Sequence, residues 1–151
     1  MFFELLRQAY AELSAAKVKS TRDLMFVVMG LNHLRDWIAP GYTKNGKKRE
    51  GSWDTPSTPA QYFYVAIYEN LAEFKVVNEL CNRSKHMTVA IPMSVDRSTD
   101  FLALPNALEA VDIFKGSPAE YFVNQRNVMD ILEKVIDFYE RAWFSKDGSK
   151  A

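Results

Sequence analysis

The chain holds two histidines, and each stands among side chains that could work with it. His33 lies in NHLRDW, with Asp36 one helical turn on. His86 closes NELCNRSKH, behind Asn78, Cys81, Asn82, Arg83 and Lys85. An imidazole titrates near neutral pH and can give or take a proton there, so either segment could form the reactive centre of a site. The two histidines and Asp36 could also form a two-histidine, one-carboxylate metal set, but only if the packing brought them together, and no metal is assigned. The single cysteine, Cys81, cannot close an internal disulfide or build a cysteine-rich zinc site, which fits a reducing compartment.

The elements that must position these residues read as helices. Residues 2–17 carry Leu6, Ala9, Tyr10, Leu13 and Ala16 along one stripe, the mark of a first helix. Ser20, with Asp23 three positions on, opens a second helix that runs to about Ala39, where Pro40 and Gly41 stop it. Its first half is apolar on nearly every side, as in a helix surrounded by others. His33 shares its side with Phe26, Met29, Gly30 and Trp37.

A loop rich in Gly, Pro, Ser, Thr and Lys follows and reads as exposed and mobile. Thr58, Pro59 and Gln61 then spell a helix start, and a third helix is expected from Pro59 to about His86. The segments TVAIPMSVD and FLALPNALEAVDIFKG, broken by Pro92 and Pro105, suggest two short strands or an extended excursion. Ser117, Pro118 and Glu120 repeat the start grammar and launch a fourth helix toward Trp143. The expected fold is mainly α: a four-helix bundle-like domain over residues 1–144, with a short extended or β-hairpin insertion between helices three and four. Residues 145–151 are expected to form a frayed tail.

At about 100° per residue, Phe63, Ile67, Leu71 and Phe74 fall on one arc of the third helix, its core side. Continued toward the C-terminus, that arc is occupied by Asn78, Cys81, Asn82 and Lys85, with His86 at its edge. A buried stripe that turns polar needs partners or a solvent-filled recess, because each unpaired neutral polar group costs about 1–3 kcal/mol. His33 and Asp36 on the second helix could supply such partners. Two readings stay open: a recess that binds a ligand, or internal scaffolding in which the polar groups cap helices and satisfy loop carbonyls.

Asn82 followed four residues later by His86, near the end of a helix in a small α-bundle, resembles the HEPN superfamily. Its ribonuclease members carry Arg-x(4 to 6)-His, often as Arg-Asn-x-x-x-His. CNRSKH matches the asparagine and the histidine, with Cys81 standing where the arginine would be. The pairing of His-x-x-Asp-Trp on one helix with Asn-x-x-Lys-His on a later one is similar to bacterial helical proteins of this kind. The resemblance implies a binding module for a nucleotide, RNA or a protein partner, in bacterial or phage defence or toxin–antitoxin biology. The alternatives are a metal-independent endoribonuclease or a non-catalytic structural or inhibitory interaction protein. In the ribonuclease, His86 would act as acid or base, and Arg83 or Lys85 would replace the missing arginine in stabilising phosphorane charge, commonly across a homodimer interface.

The loop KNGKKRE sets Lys44, Lys47, Lys48 and Arg49 against one glutamate, beside Tyr42 and Trp53. Such a loop could contact phosphates and stack on bases, or simply be solvated. Phe2, Phe3 and FYERAWF offer aromatics for a dimer face or for the core. Basic and acidic residues balance at 19 each, which removes any global electrostatic pull toward nucleic acid or membrane, so a polyanion site must be local. The longest apolar run, LMFVVMGL, is too short to span a bilayer, and MFFELLRQAY carries Glu4 and Arg7 where a signal peptide would be apolar. A cytoplasmic protein without a cofactor is the expectation.

Overall fold

The computed structural model describes residues 1–17, 19–43, 50–85, 121–123 and 125–145, with the backbone alone at 83–85. Helix α1 spans Phe2–Ala15 and α2 spans Thr21–Ile38. α2 starts where its sequence directs: Ser20 Oγ accepts from the Asp23 backbone N–H at 3.4 Å, satisfying one of the first-turn donors that no helical carbonyl can reach. It stops at Ala39, and Gly41 beyond it sits at φ 81°, a conformation glycine adopts without strain.

The segment expected as one long third helix is two. α3 covers Pro59–Asn70 and α4 covers Ala72–Lys85, with Leu71 extended between them at φ −124°, ψ 101°. Neither glycine nor proline marks the break. Leu71 acts as the cap of α4, its carbonyl accepting the Phe74 N–H at 3.0 Å, and Asn70 is a residue type whose amide competes with helical bonding. The start of α3 is as expected, with Gln61 N–H donating to Thr58 Oγ1 at 3.2 Å. The returning Gln61 side chain, however, accepts from Ser57 N–H and Oγ–H rather than from Thr58.

The fourth expected helix also starts later. Phe122–Val123 (β1) and Arg126–Asn127 (β2) pair antiparallel across a tight turn, in which Gln125 takes a left-handed φ of 65°. Asn127 then caps α5, Val128–Tyr139, its Oδ1 accepting the Met129 N–H at 2.9 Å. The helix widens into a π-helical stretch over Glu140–Phe144. Ser117, Pro118 and Glu120, and both segments expected as strands, lie outside the described residues. The described part of the protein is therefore mainly helical, with five helices and a small two-stranded antiparallel sheet between α4 and α5.

α2 is the central rod, packed on α1, α3, α4 and α5. Its Leu24, Val27, Val28 and Leu31 are buried with Phe74, Val77 and Leu80 of α4 and Ile131, Leu132 and Val135 of α5. Each such side chain contributes roughly 1.5–3 kcal/mol of transfer free energy. Gly30 lets α1 approach closely, since a Cβ there would run into Leu6 Cδ2. The Tyr139 hydroxyl, fully buried, donates to the Leu31 carbonyl at 2.7 Å and ties α5 to α2.

α2 is not enclosed on all sides, contrary to its apolar composition. Phe26, Met29 and Trp37 are exposed, covered only in part by Phe2, whose ring meets Trp37 edge-on at 4.5 Å. The other aromatics considered for a dimer face turn inward: Phe3 is buried and stacks on Phe144 at 4.3 Å, and Trp143 packs on Phe63. None of the described helices is long and apolar enough to cross a membrane.

Candidate functional site

α2 and α4 meet along a seam that carries polar groups in two connected sets. In the first, Asn82 Nδ2 donates to Asn78 Oδ1 at 3.2 Å, and Asn78 Nδ2 donates to Asn32 Oδ1 at 3.0 Å. The ladder climbs from exposed Asn82 to Asn78 and Asn32, both buried. Helical spacing makes this possible, because Asn78 and Asn82 are one turn apart on α4.

In the second set, His33 Nδ1 lies 3.2 Å from Asp36 Oδ2, one turn along α2. A carboxylate only accepts, so Nδ1 donates to it, and in the neutral ring Nε2 is then the nitrogen with the lone pair. That Nε2 faces Cys81 Sγ of α4 at 3.8 Å. Asp36 is itself held, its Oδ1 accepting from the Tyr64 hydroxyl of α3 at 3.0 Å. Burial pushes the Tyr64 hydroxyl up to about 12 against the opposing pull of Arg35, so it remains a donor at every physiological pH.

Thiol, imidazole and carboxylate in line resemble the order of a nucleophilic relay. Burial decides where such a relay could meet a ligand: Cys81 is fully buried, whereas the His33 and Asp36 side chains are 35% and 41% exposed. The end that can touch a solute is therefore an oriented imidazole and its carboxylate.

Beside this pair lies a group that sequence reasoning passed over. Arg35 is 2% exposed. Its guanidinium packs 4.3 Å from the Tyr64 ring centroid and 4.7 Å from that of Phe74, with Tyr68 and Trp53 further out. Cation–π contact of this kind stabilises a desolvated cation better than aliphatic packing does. Nη2 is paired with the Glu50 carboxylate, while Nε and Nη1 are buried without a hydrogen-bond partner among the described residues. The signal was available in spacing, since Leu24, Val28, Leu31 and Arg35 follow one another at i, i+4, i+7 and i+11 on the buried face of α2.

The flanks of the basic loop are packed, not loose. Tyr42 and Trp53 meet the Tyr64 ring edge-on at 5.4 and 5.5 Å, the Tyr42 hydroxyl donates to the Asp54 carbonyl at 2.6 Å, and the Trp53 indole N–H donates to Glu69 at 3.0 Å. Lys44, Lys47, Lys48 and Arg49 between them lie outside the described residues, as do His86 and the side chains of Arg83 and Lys85.

Of the residues expected in a recess, the structure thus joins His33 to Asp36 and Asn78 to Asn82, and links both sets across the α2–α4 seam through Cys81 and Asn32. Asn82 is exposed, whereas Asn78 and Cys81 of the same expected stripe are buried. The side of α2 that carries His33 is half-solvated, with Phe26, Met29 and Trp37 exposed along it. Among the described residues no group of three or more His, Cys, Asp or Glu could hold a metal ion.

Comparison with protein-family models, with curated proteins and with solved structures found no match. The HEPN resemblance therefore rests on the Asn82–His86 spacing and the His33–Asp36–Trp37 triplet alone.

Proposed function

We propose that this chain is a HEPN-like binding module for RNA or a nucleotide, working in the cytoplasm, with its ligand seated at the solvent end of the α2–α4 seam. One observation carries the reading: two polar sets built from different helices run from the core to solvent and end on Asn82 and on the His33–Asp36 pair. Amides and an imidazole offer both donors and acceptors, the chemistry that base edges and a 2′-hydroxyl require. The stretch Arg83–His86 directly follows Asn82 and adds cationic and imidazole groups in sequence.

A second reading, metal-independent endoribonuclease, follows from the HEPN resemblance, which would make His86 the acid–base group, commonly across a homodimer; Asp36 holds His33 with its Nε2 turned toward buried Cys81, so His33 is not that base. A protein partner in a defence or toxin–antitoxin setting follows from the resemblance alone and ranks below both.

Incubation with single-stranded RNA in the presence of a chelator separates these readings, with wild type set against His86→Ala. A ligand-induced rise in melting temperature without cleavage supports the binding module, and cleavage that vanishes in the variant supports the enzyme. Neither response, at protein and RNA concentrations in the high micromolar range, would leave a structural protein.

A further inference from the structure

We propose that Arg35 is a recessed oxyanion site, of the size of a phosphate group, which the Glu50 carboxylate occupies as an internal stand-in and yields to a phosphate-bearing ligand.

A guanidinium presents its five N–H donors as a fork, and two adjacent nitrogens normally meet two oxygens of one carboxylate or phosphate. Among the described residues Arg35 is bound at one prong only: a single Glu50 oxygen takes Nη2, while Nε and Nη1 are buried and without a partner. Nη2 is adjacent to both of these nitrogens. A tetrahedral oxyanion at the position of the Glu50 carboxylate could therefore keep Nη2 and reach a second nitrogen with another oxygen, which Glu50 in its present geometry does not do.

The surroundings fit such an exchange. The rings of Tyr64 and Phe74 pack against the guanidinium and fix its plane, so the fork does not have to be ordered when a ligand arrives. Glu50 comes from an exposed residue of the segment before α3, its side chain about one-third exposed, whereas the arginine side chain is 3% exposed. The anionic half of the pair can thus withdraw into water at little expense. Gly51, next in the chain at φ 86°, is the residue type that lets the backbone turn there. Trp53 and Tyr68 complete the aromatic wall around the cation, at 5.8 and 5.7 Å from the guanidinium carbon. The site does not depend on the seam or on RNA binding, because a free phosphate is sufficient to occupy it.

The test uses the full chain with Glu50→Gln, a substitution at an exposed side chain that keeps its shape and removes the competing charge. Inorganic phosphate is titrated at constant ionic strength, against chloride, with melting temperature as the first readout. Modification of Arg35 by phenylglyoxal, followed peptide by peptide in a mass spectrometer, is the second. Expected are at least a fivefold tighter apparent phosphate affinity in Glu50→Gln than in wild type, faster modification of Arg35 in the variant, and protection of that residue by phosphate. The proposal is overturned if wild type and variant respond equally to phosphate, or if phosphate leaves Arg35 modification unchanged. RNA binding that fails while phosphate still protects Arg35 would overturn the module reading and leave this site standing; the reverse result would do the opposite.

Discussion

Asn32 and Arg35 stand three residues apart on α2, both are buried, and the fold provides for them differently. Asn32 receives the amide of Asn78, which in turn receives that of Asn82, so each amide on the seam meets another. Arg35 is surrounded by aromatic rings, yet two of its three nitrogens have no acceptor among the described residues, and its partner Glu50 comes from outside the helical core. The first arrangement is what specificity between two packed helices requires. The second leaves hydrogen-bonding capacity unused where unmet donors are expensive, about 1–3 kcal/mol for a neutral group and more for a charged one. The contrast between the two arrangements can be put to the test by substitution.

The largest effect is expected at the cage. Arg35→Ala should destabilise by about 2–4 kcal/mol, mostly through lost packing and cation–π contact, since Glu50 can rehydrate. Arg35→Met keeps the packing and removes the unpaired donors, so it should stay within about 1 kcal/mol of wild type in denaturant melts. Equal losses for the two variants would mean that the charge, through its ion pair and its cation–π contacts, rather than side-chain packing, holds this region together.

At the ladder, Asn78→Leu strips Asn32 Oδ1 of its donor and should cost about 2 kcal/mol, whereas Asn32→Leu combined with Asn78→Leu should recover most of that loss. Additive single-site losses in that cycle would show that the two amides do not act as a pair.

Away from both regions, Glu73 offers a check by pH. Burial alone would raise its carboxyl, but its own backbone N–H, Arg126 at 3.0 Å and Lys134 at 3.6 Å outweigh that and hold it below its ordinary 4.5. A depressed carboxyl contributes stability that is full above about 4.5 and is lost as pH falls through the lower folded value. Glu73→Gln should therefore flatten the decline in stability below that pH, as followed by acid titration of the melting temperature. The smallest effect is expected for His33→Ala, under about 1 kcal/mol in stability, because the imidazole is one-third exposed and its partner Asp36 keeps the Tyr64 hydroxyl.

The helices were legible wherever local chemistry marks them. Ser20 and Thr58 cap the helices their positions suggest, and Pro40 with Gly41 ends α2. The break at Leu71 was not legible, because extended backbone at a leucine carries no signature residue. The hairpin was missed for the opposite reason: a strong start signal at Ser117 and Pro118 hid the weaker cap at Asn127, which begins α5. At the site, helical spacing put Asp36 one turn from His33, and the two side chains are paired; the meeting of Asn78 with α2 depends on how the helices pack. Asn32, Tyr64 and Glu50 were out of reach, since they are brought in by tertiary packing and by a segment 15 residues from Arg35 in sequence.

Binding of a fluorescent single-stranded RNA, measured by anisotropy, tests the central claim most directly when wild type is compared with His33→Ala combined with Asn82→Ala. Both side chains reach solvent, so the melting temperature should change little while affinity falls by tenfold or more. Unchanged affinity in the double variant, or no binding by the wild type, would contradict the seam as the place where a ligand is held.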